Sequence, residues 1–272
     1  MRTKQLNNTP IGVFDSGLGG LTVLKSLEKI LPNESFIYFG DTAHVPYGTK
    51  SAKMVTLYSQ HIMDFFLKYK TKAVVIACNT ASAVAFQHLK KNYDIPLFDV
   101  VTPSVEYSMK ITKTRKIGVV GTYSTIQSHA YKRMFKDLGD VCSVQEISCP
   151  LFVPIIEEGW AETSIARDIA EIYLKDITSS DMDTLILGCT HYPIMAKTIK
   201  TLLPNKIQLV YSGESVGYTL AEYLKKKNCE NSSDVSRSVQ FFVTDYLRAL
   251  LASNRITAAY RVAGMNPINH VL

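Results

Sequence analysis

Short runs of apolar residues alternate with longer amphipathic stretches along most of the chain. The short runs predict strands buried on both faces, over residues 11–14, 36–39, 73–77, 97–101, 117–120, 144–147, 185–187 and 208–211. Between the first runs, apolar residues recur with the period of a helix over 21–31 and 52–68, and Pro32 directly follows the first of these helices. Strands that alternate with helices predict right-handed βαβ crossovers and parallel sheets.

Two sequence blocks occur twice, in the same order. The block 11–16 (IGVFDS) is matched by 117–122 (IGVVGT), and the block 75–80 (VIACNT) is matched by 186–191 (ILGCTH). One such match between buried strands could be coincidence, but two at nearly the same spacing indicate a duplicated unit. The sequence therefore predicts an α/β fold of two pseudo-symmetric parallel-sheet domains, with the active site in the cleft between them.

The C-terminal part of the chain extends beyond this repeat. It contains a predicted helix over 216–227, a predicted strand over 239–243 and a predicted helix over 245–252. We expect this part to return to the first half of the molecule. The predicted domains are therefore residues 1–104 plus 214–272 for the first and residues 105–213 for the second.

Composition and charge narrow the classes of function. Of the 272 residues, 46% are hydrophobic and 20% are charged, as in an ordinary globular protein. The net charge of +6 includes two basic clusters, residues 110–116 and 225–227, which we interpret as solvated surface rather than as a nucleic-acid site. The apolar runs are too short to span a bilayer, and residues 1–10 lack the apolar region of a secretory signal. Five cysteines without metal-type spacing favour a reducing cytoplasm and predict neither a metal site nor a disulfide framework.

Two of the cysteines differ from the others because each follows a predicted buried strand within a repeated block. Cys78 and Cys189 therefore lie at the carboxyl ends of parallel strands, where such sheets bind ligands, and each precedes a predicted helix. The positive end of a helix is expected to lower the pKa of each thiol. A single cysteine of this kind is more often inert, and a disulfide or metal pair is a further alternative. Cys142, Cys149 and Cys229 lack the repeated context and are interpreted as structural.

Two thiols on facing halves can act on one carbon atom from opposite sides. One thiolate removes a proton and the other thiol delivers one, which is the chemistry of a racemase that needs no cofactor. Residues 15–20 are rich in glycine but lack the spacing of a dinucleotide-binding loop, although the helix after them can bind an anion such as a carboxylate. The sequence has no Walker motif, no G-x-S-x-G motif and no lysine at a strand end in a pyridoxal-type motif.

The same residues lie in motifs that resemble those of the glutamate racemases, within the aspartate/glutamate racemase superfamily. The matching segments are residues 12–20 with D-S-G-x-G-G, 40–48 with D-T-A-x-x-P-Y-G, 77–82 around the first cysteine and 188–193 around the second. The resemblance implies a cofactor-independent interconversion of L- and D-glutamate that supplies D-glutamate for peptidoglycan. It also implies a cytoplasmic homodimer with a cell-wall precursor as a candidate activator, and no nucleic-acid or membrane partner.

The resemblance assigns catalytic roles to individual residues. Cys78 and Cys189 would be the acid–base pair, one for each enantiomer, and Cys78 would remove the α-proton of the D form. Asp15 would support Cys78. His191 would support Cys189 from the other side of the cleft.

The resemblance also implies a further carboxylate near the second cysteine and a set of substrate-binding groups. The carboxylate would be Glu157 or its neighbour Glu158. The carboxylates and the ammonium of the substrate would be held by Asp15, Ser16, Tyr47, Gly48, Asn79, Thr80, Thr122, Thr190 and His191. Several of these residues also have a structural explanation, since Asn79, Thr80 and Thr190 are common helix-capping types. Asp41 of the second motif also has a structural explanation, because an aspartate readily caps a turn.

Two other functions stay open at this point. An aspartate or hydantoin racemase would share the superfamily, although the D-S-G and P-Y-G motifs argue against it. A non-catalytic binding protein would need no acid–base pair, and no motif supports it. The chain departs from the resemblance at residues 213–216 and in the tail over 255–272, to which we assign no function.

Overall fold

The computed structural model describes residues 8–139, 142–178, 180–231, 237–245 and 270–271, and it gives side chains for all of these except the last pair. Of the predicted C-terminal helix over 245–252, only Asp245 falls within them. The tail over 255–272 lies outside them apart from residues 270–271. Within these ranges, no helix combines the length and the apolar content that crossing a bilayer requires.

The strands fall close to the positions that the apolar runs predict. They are β1 (Ile11–Asp15), β2 (Phe36–Gly40), β3 (Ala73–Ile76), β4 (Leu97–Asp99), β5 (Lys116–Gly121), β6 (Ser143–Ser148), β7 (Thr184–Gly188), β8 (Gln208–Tyr211), β9 (Val239–Val243) and β10 (His270–Val271). Each described ladder between them is parallel. In the ladder between β1 and β2, Ile11 is opposite Phe36, and in the ladder between β1 and β3 it is opposite Ala73.

The two sheets repeat one topology. The first has the order β10-β9-β2-β1-β3-β4 and the second has the order β6-β5-β7-β8. When β1 is matched with β5 and β3 with β7, as in the sequence repeat, four strands of the first sheet have the order of the whole second sheet. This topology confirms the predicted pair of pseudo-symmetric α/β units.

Helices connect these strands. They are α1 (Leu21–Ile30), α2 (Ala52–Lys68), α3 (Asn79–Asn92), α4 (Val101–Ile111), α5 (Tyr123–Gln127), α6 (Ala130–Asp137), α7 (Phe152–Glu157), α8 (Ser164–Thr178), α9 (Ala196–Leu202) and α10 (Ser212–Lys227), with 3₁₀ turns at Tyr47–Thr49 and Tyr192–Met195. Helix α2 has the predicted bounds. Helix α10 begins at Ser212 rather than at residue 216, because its first turn is small and polar and so carries no apolar period.

Helices cover both faces of each sheet, as buried parallel sheets require. On one face of the first sheet, Leu27 of α1 packs in one core cluster with Leu220 of α10. On the opposite face, Phe66 of α2 packs with Ala85 of α3. Two further clusters cover the faces of the second sheet. Each fully buried leucine contributes roughly 1.5–3 kcal/mol to this packing.

The segment after α10 is attached to the first sheet. Strand β9 pairs with β2, and a buried ion pair lies at the entry to β3, where Lys72 Nζ is 2.6 Å from Glu34 Oε2. Lys72 also donates to the carbonyl of Cys229 at 2.8 Å and to Asn231 Oδ1 at 3.1 Å. The pair therefore holds residues 229–231 against the first half.

The two connections between the sheets are helices that start almost directly after β4 and β8. The predicted domain limit at 104/105 falls inside α4, and the limit at 213/214 falls inside α10. These limits stay a prediction.

Candidate active site

The carboxyl ends of two strands in each sheet point to one place. In each sheet the chain goes from the central strand to the neighbouring strand on one side and then to the neighbour on the other side. The helices that make these two connections therefore lie on opposite faces of the sheet, and a crevice is left between them at the carboxyl ends of the strands. Asp15 ends β1 and Cys78 lies two residues after the end of β3, while Thr122 follows β5 and Cys189 follows β7. Both cysteines line a single cavity between the halves.

This cavity is small, with a volume of about 20 Å³. Its lining residues are Ser16, Val45, Pro46, Tyr47, Gly48, Cys78, Asn79, Thr80, Thr122, Val153, Cys189, Thr190 and His191. Two predicted residues, Asp15 and Glu157, are not among them, but each contacts a residue that is.

Sequence reasoning missed three of the lining residues. Val45 and Pro46 lie inside the motif over residues 41–48, so the motif itself was the signal that could have found them. Val153 had no signal, because an apolar residue of a short helix looks like any other core position.

Asp15 organises the loop that follows β1. Its buried Oδ2 accepts hydrogen bonds from the amides of Gly17 at 3.1 Å and Gly20 at 3.0 Å. Its Oδ1 accepts one from the Thr190 hydroxyl of the other half at 3.2 Å. Burial raises the pKa of this carboxyl, while the charge of His191 and these hydrogen bonds act in the opposite direction.

Cys78 is the N-cap residue of α3, and its thiol does not behave as the sequence predicts. Burial, followed by the negative charge of Asp15, raises its pKa to about 12, although the amide of Ala81 and the hydroxyl of Ser16 act in the opposite direction. The expectation of a lowered pKa is therefore wrong for Cys78. A helix end is worth only about 0.3–1 kcal/mol, which cannot offset full burial beside a carboxylate.

Cys189 has a different neighbourhood. Its sulfur lies 3.9 Å from Nδ1 of His191, and Nε2 of the same ring lies 3.3 Å from Oε1 of Glu157. Burial by itself would lower the pKa of His191, but its contacts with Cys189 and Glu157 outweigh this and raise the pKa to about 10. The imidazole is therefore protonated at neutral pH. Of the two adjacent glutamates left open by the sequence, Glu157 is the one that makes this contact.

The close approach of the two halves requires a glycine at position 19. A Cβ atom there would lie 2.3 Å from His191 Nδ1 and 2.6 Å from Thr190 Oγ1. The glycine-rich loop of the first half thus packs directly against the residues that follow Cys189. This contact explains the glycine at position 19 of the loop.

A family model described as Asp/Glu/Hydantoin racemase matches residues 11–216. The chain belongs to this family. A glutamate racemase of Geobacter metallireducens is 42% identical to it, over 86% of this chain and 87% of that protein. Among solved structures, a glutamate racemase isoform from Bacillus anthracis aligns with a TM-score of 0.91 at 32% identity over 98% of both chains. The glutamate racemase of Francisella tularensis in complex with D-glutamate aligns at 0.87 with 34% identity, also over 98% of both chains.

In this member of the racemase family, the three residues of helix-capping type, Asn79, Thr80 and Thr190, do not cap helices. Asn79 and Thr80 lie inside the first turn of α3, and Thr190 precedes a 3₁₀ turn rather than an α-helix. Each one reaches across to the other half. Thr80 Oγ1 lies 2.9 Å from Thr122 Oγ1, and Asn79 Nδ2 donates to the Tyr131 hydroxyl at 2.9 Å. These side chains therefore join the two halves around the cavity.

Tyr47, which lines the same cavity, is held by Asp41. The Tyr47 hydroxyl donates to Asp41 Oδ2 at 2.6 Å, and the Thr244 hydroxyl donates to Oδ1 at 2.8 Å. Nδ1 of His44 lies 2.8 Å from the same carboxylate. Asp41 thus does more than cap a turn, since it ties the lining residue Tyr47 to the end of β9. Gly48 packs against Thr122, where a Cβ would lie 2.5 Å from the threonine Cβ.

The other described cysteines do not line this cavity. Cys142 contacts the sulfur of Met109, and Cys229 lies in the segment after α10. Cys149 is buried, and burial raises the pKa of its thiol. Its carbonyl accepts a hydrogen bond from Tyr192 at 2.9 Å, beside the turn that follows Cys189. A structural role for all three stays our prediction.

Proposed function

We propose that this chain is a glutamate racemase that interconverts L- and D-glutamate with Cys78 and Cys189 as its two acid–base residues. The observation that carries the proposal is that both cysteines line one small cavity between duplicated halves. Relatives of nearly the same length and about 42% identity are glutamate racemases. Thiols on two sides of one bound carbon suit a reaction that removes a proton from one face and delivers a proton to the other.

The electrostatics of the site favour one starting state. Because the pKa of Cys78 is raised to about 12, this residue begins as a thiol that can donate a proton. Cys189 lies beside the protonated imidazole of His191, and we assign it the role of the base in this direction. In this state Cys189 removes the α-proton of L-glutamate, Cys78 delivers a proton to the opposite face, and D-glutamate is the product.

The reverse reaction starts from the opposite protonation of the two cysteines. Cys78, now a thiolate, takes the α-proton of D-glutamate, and Cys189 donates to the other face. The two directions of the reaction are electrostatically unequal, because Cys78 has the carboxylate of Asp15 as its neighbour and Cys189 has the imidazole of His191. The supporting roles of these two residues and of Glu157 are part of the proposal.

Neutral donors around the cavity would stabilise the carbanion-like transition state. The hydroxyls of Ser16, Thr80, Thr122 and Thr190 and the amides at the start of α3 surround the place where the substrate's carboxylates would lie. Donors without charge bind a carboxylate without quenching a nearby thiolate.

The biological setting is a prediction from the sequence. We expect the D-glutamate formed to supply peptidoglycan synthesis in the cytoplasm. We also expect a homodimer, which light scattering of the purified protein tests directly, and a cell-wall precursor as a candidate activator, which activity assays with and without such a precursor would test.

The deciding experiment is incubation of the pure protein with L-glutamate in deuterated water without added cofactor. We expect D-glutamate with deuterium at Cα, because the delivered proton comes from a thiol that exchanges with solvent. A parallel incubation with L-aspartate separates this activity from that of an aspartate racemase. Faster turnover of aspartate, or no turnover of either substrate, would refute the proposed function.

A further inference from the structure

Thr22 is a buried polar residue in the first turn of α1, and it is 7% exposed. The apolar residues of this helix, among them Leu24 and Leu27, pack into the core of the first half. The Thr22 hydroxyl instead reaches the second half, where it donates to the carbonyl of Thr190 at 2.8 Å. Thr22 therefore joins the two halves, although it does not line the cavity.

The direction of this hydrogen bond is unusual for a hydroxyl in a helix. Such hydroxyls commonly donate to the carbonyl four residues earlier. Ser59 of α2 donates in this way to Val55 at 2.8 Å, and Ser104 of α4 to Val100 at 2.6 Å. Thr22 uses its single hydrogen on a residue 168 positions later in the chain. Its hydroxyl therefore acts on the second half rather than on its own helix.

Thr190 lies between the two residues that form the second side of the site. Cys189 directly precedes it and His191 directly follows it. The first half holds Thr190 through two groups, since its hydroxyl donates to Asp15 Oδ1 at 3.2 Å and its carbonyl accepts from Thr22. That carbonyl belongs to the planar peptide that joins Thr190 to His191. Holding its oxygen therefore fixes how the chain leaves Cys189 and enters His191.

The buried carbonyl of Thr190 needs the donor that Thr22 supplies. Thr190 is 4% exposed, and a buried carbonyl that loses its donor is costly, so the loop would shift without this bond. We propose that Thr22 is a positioning residue that sets where Cys189 and His191 lie relative to Cys78. This inference rests on the proposed function and extends it to a residue outside the cavity. Both thiols must reach one carbon, and a displacement of about 1 Å near reacting groups slows a reaction strongly.

The test removes the hydroxyl and keeps the shape of the side chain. Thr22→Val replaces the hydroxyl with a methyl group, whereas Thr22→Ser keeps the hydroxyl. For both variants we would measure kcat and KM for L-glutamate. We expect Thr22→Val to lower kcat by roughly 10–100-fold, because Cys189 is displaced. We expect KM to change little, because most hydroxyls that line the cavity lie on other elements. Thr22→Ser should keep most of the wild-type kcat.

Thr198→Val is the matched control. Thr198 is 8% exposed, lies in the first turn of α9 and donates to the carbonyl of Ala161 at 2.7 Å, so this variant loses the same kind of bond. Neither Thr198 nor Ala161 lines the cavity. We expect both valine variants to lower the midpoint of urea unfolding by similar amounts, while Thr198→Val keeps the wild-type kcat. If Thr22→Val does not fold, Thr22→Ala is compared with Thr198→Ala in the same way.

An isotope effect identifies the step that Thr22 influences. We would compare kcat for L-glutamate with kcat for L-glutamate deuterated at Cα. A displaced Cys189 slows the removal of the α-proton, so we expect the isotope effect on kcat in Thr22→Val to be at least as large as in the wild type. A lower kcat with a smaller isotope effect would show that another step is slowed, which would contradict the positioning role.

Three further results would overturn the inference while the proposed function stands. They are an unchanged kcat in Thr22→Val, an equal loss of kcat in Thr198→Val, and a Thr22→Ser variant as slow as Thr22→Val.

The placement of Cys189 can also be measured without turnover. If the wild type does not racemise glutamate, the proposed function fails, but the rate at which iodoacetamide alkylates Cys189 still tests the inference. Peptide mass spectrometry gives this rate, with Cys142 as the internal reference. We expect Cys189 to react severalfold faster in Thr22→Val than in the wild type and in Thr198→Val, because a shifted loop uncovers the buried thiol. Equal rates in all three proteins would refute the positioning role.

Discussion

The Thr190 hydroxyl donates to Asp15 Oδ1 at 3.2 Å, although the two residues lie far apart in the chain. Asp15 ends the central strand of the first sheet and bonds to the glycine-rich loop beside Cys78. Thr190 directly follows Cys189, and its carbonyl accepts from the Thr22 hydroxyl at 2.8 Å. Hydrogen bonds thus join the surroundings of the two cysteines into one unit. We therefore expect a substitution beside one cysteine to alter the surroundings of the other as well.

Replacement of either cysteine of the cavity tests the proposed acid–base pair. We expect Cys78→Ser and Cys189→Ser each to lower racemisation by about 10²–10⁴-fold, because a serine hydroxyl is a poor base and positioned acid–base groups contribute about this factor. The assay is the loss of optical rotation of L-glutamate and, separately, of D-glutamate. Cys142→Ser is the matched control, since Cys142 contacts Met109 outside the cavity. Full activity in either single variant would contradict the pair.

The protonation of His191 can be measured directly. Because its pKa is raised to about 10, the ring should keep its proton from pH 6.5 to about pH 9 and lose it only as the pH rises through 10. The positive charge beside Cys189 disappears with that proton, so we expect the rate from L- to D-glutamate to fall there. Nitrogen-detected NMR of the ring, assigned with His191→Asn, gives the titration. A midpoint near the ordinary value of 6.5 would show that Cys189 and Glu157 do not hold the proton.

Gly19→Ala tests the packing of the two halves. The new Cβ would meet His191 Nδ1 at 2.3 Å, so the imidazole must move away. We expect activity to fall about 10²-fold, because a displacement of about 1 Å near reacting groups has this effect. Gly17→Ala is the matched control, since its Cβ would meet a Val45 methyl at 3.3 Å and little has to move. Equal activities of the two variants would argue against this contact as the cause.

Lys72→Met tests the buried ion pair that holds the segment after α10. It leaves the Glu34 carboxylate buried without its cation, and we expect the free energy of unfolding to fall by about 3–5 kcal/mol in urea titrations. The double variant Lys72→Met, Glu34→Gln should recover much of this loss, because no buried charge remains. In the exposed pair with Glu162, Lys197→Met should cost less than about 1 kcal/mol. A similar small loss for Lys72→Met would show that the buried pair does not hold the segment.

Much of the fold could be predicted because local patterns carry it. Helix α2 has its predicted bounds, since its face of Val55, Ile62 and Phe66 gives a clear helical period. The repeat placed Cys78 and Cys189 at strand ends. This could be predicted because each cysteine directly follows an apolar run in the chain. The early start of α10 could not be predicted, because its small and polar first turn carries no apolar period.

The details of the site could be predicted only in part. The motifs pointed to Tyr47, Thr80 and Thr190, but not to what their side chains contact. The sequence also offered no way to choose between Glu157 and Glu158. The two are neighbours at the end of one short helix, and which of them contacts His191 depends on how the fold places that helix.

The order of strands and helices, the duplication and the two candidate thiols follow from the sequence alone, because each depends on residue types at short range. The raised pKa of Cys78 and the partners of the Asn79 side chain were decided by the tertiary structure. A pKa reflects burial and charges from distant parts of the chain, and Cys78 carries the burial and the Asp15 charge that a helix end does not overcome. The Asn79 side chain likewise bonds to Ser212, which lies 133 residues later in the chain and comes near only through the fold.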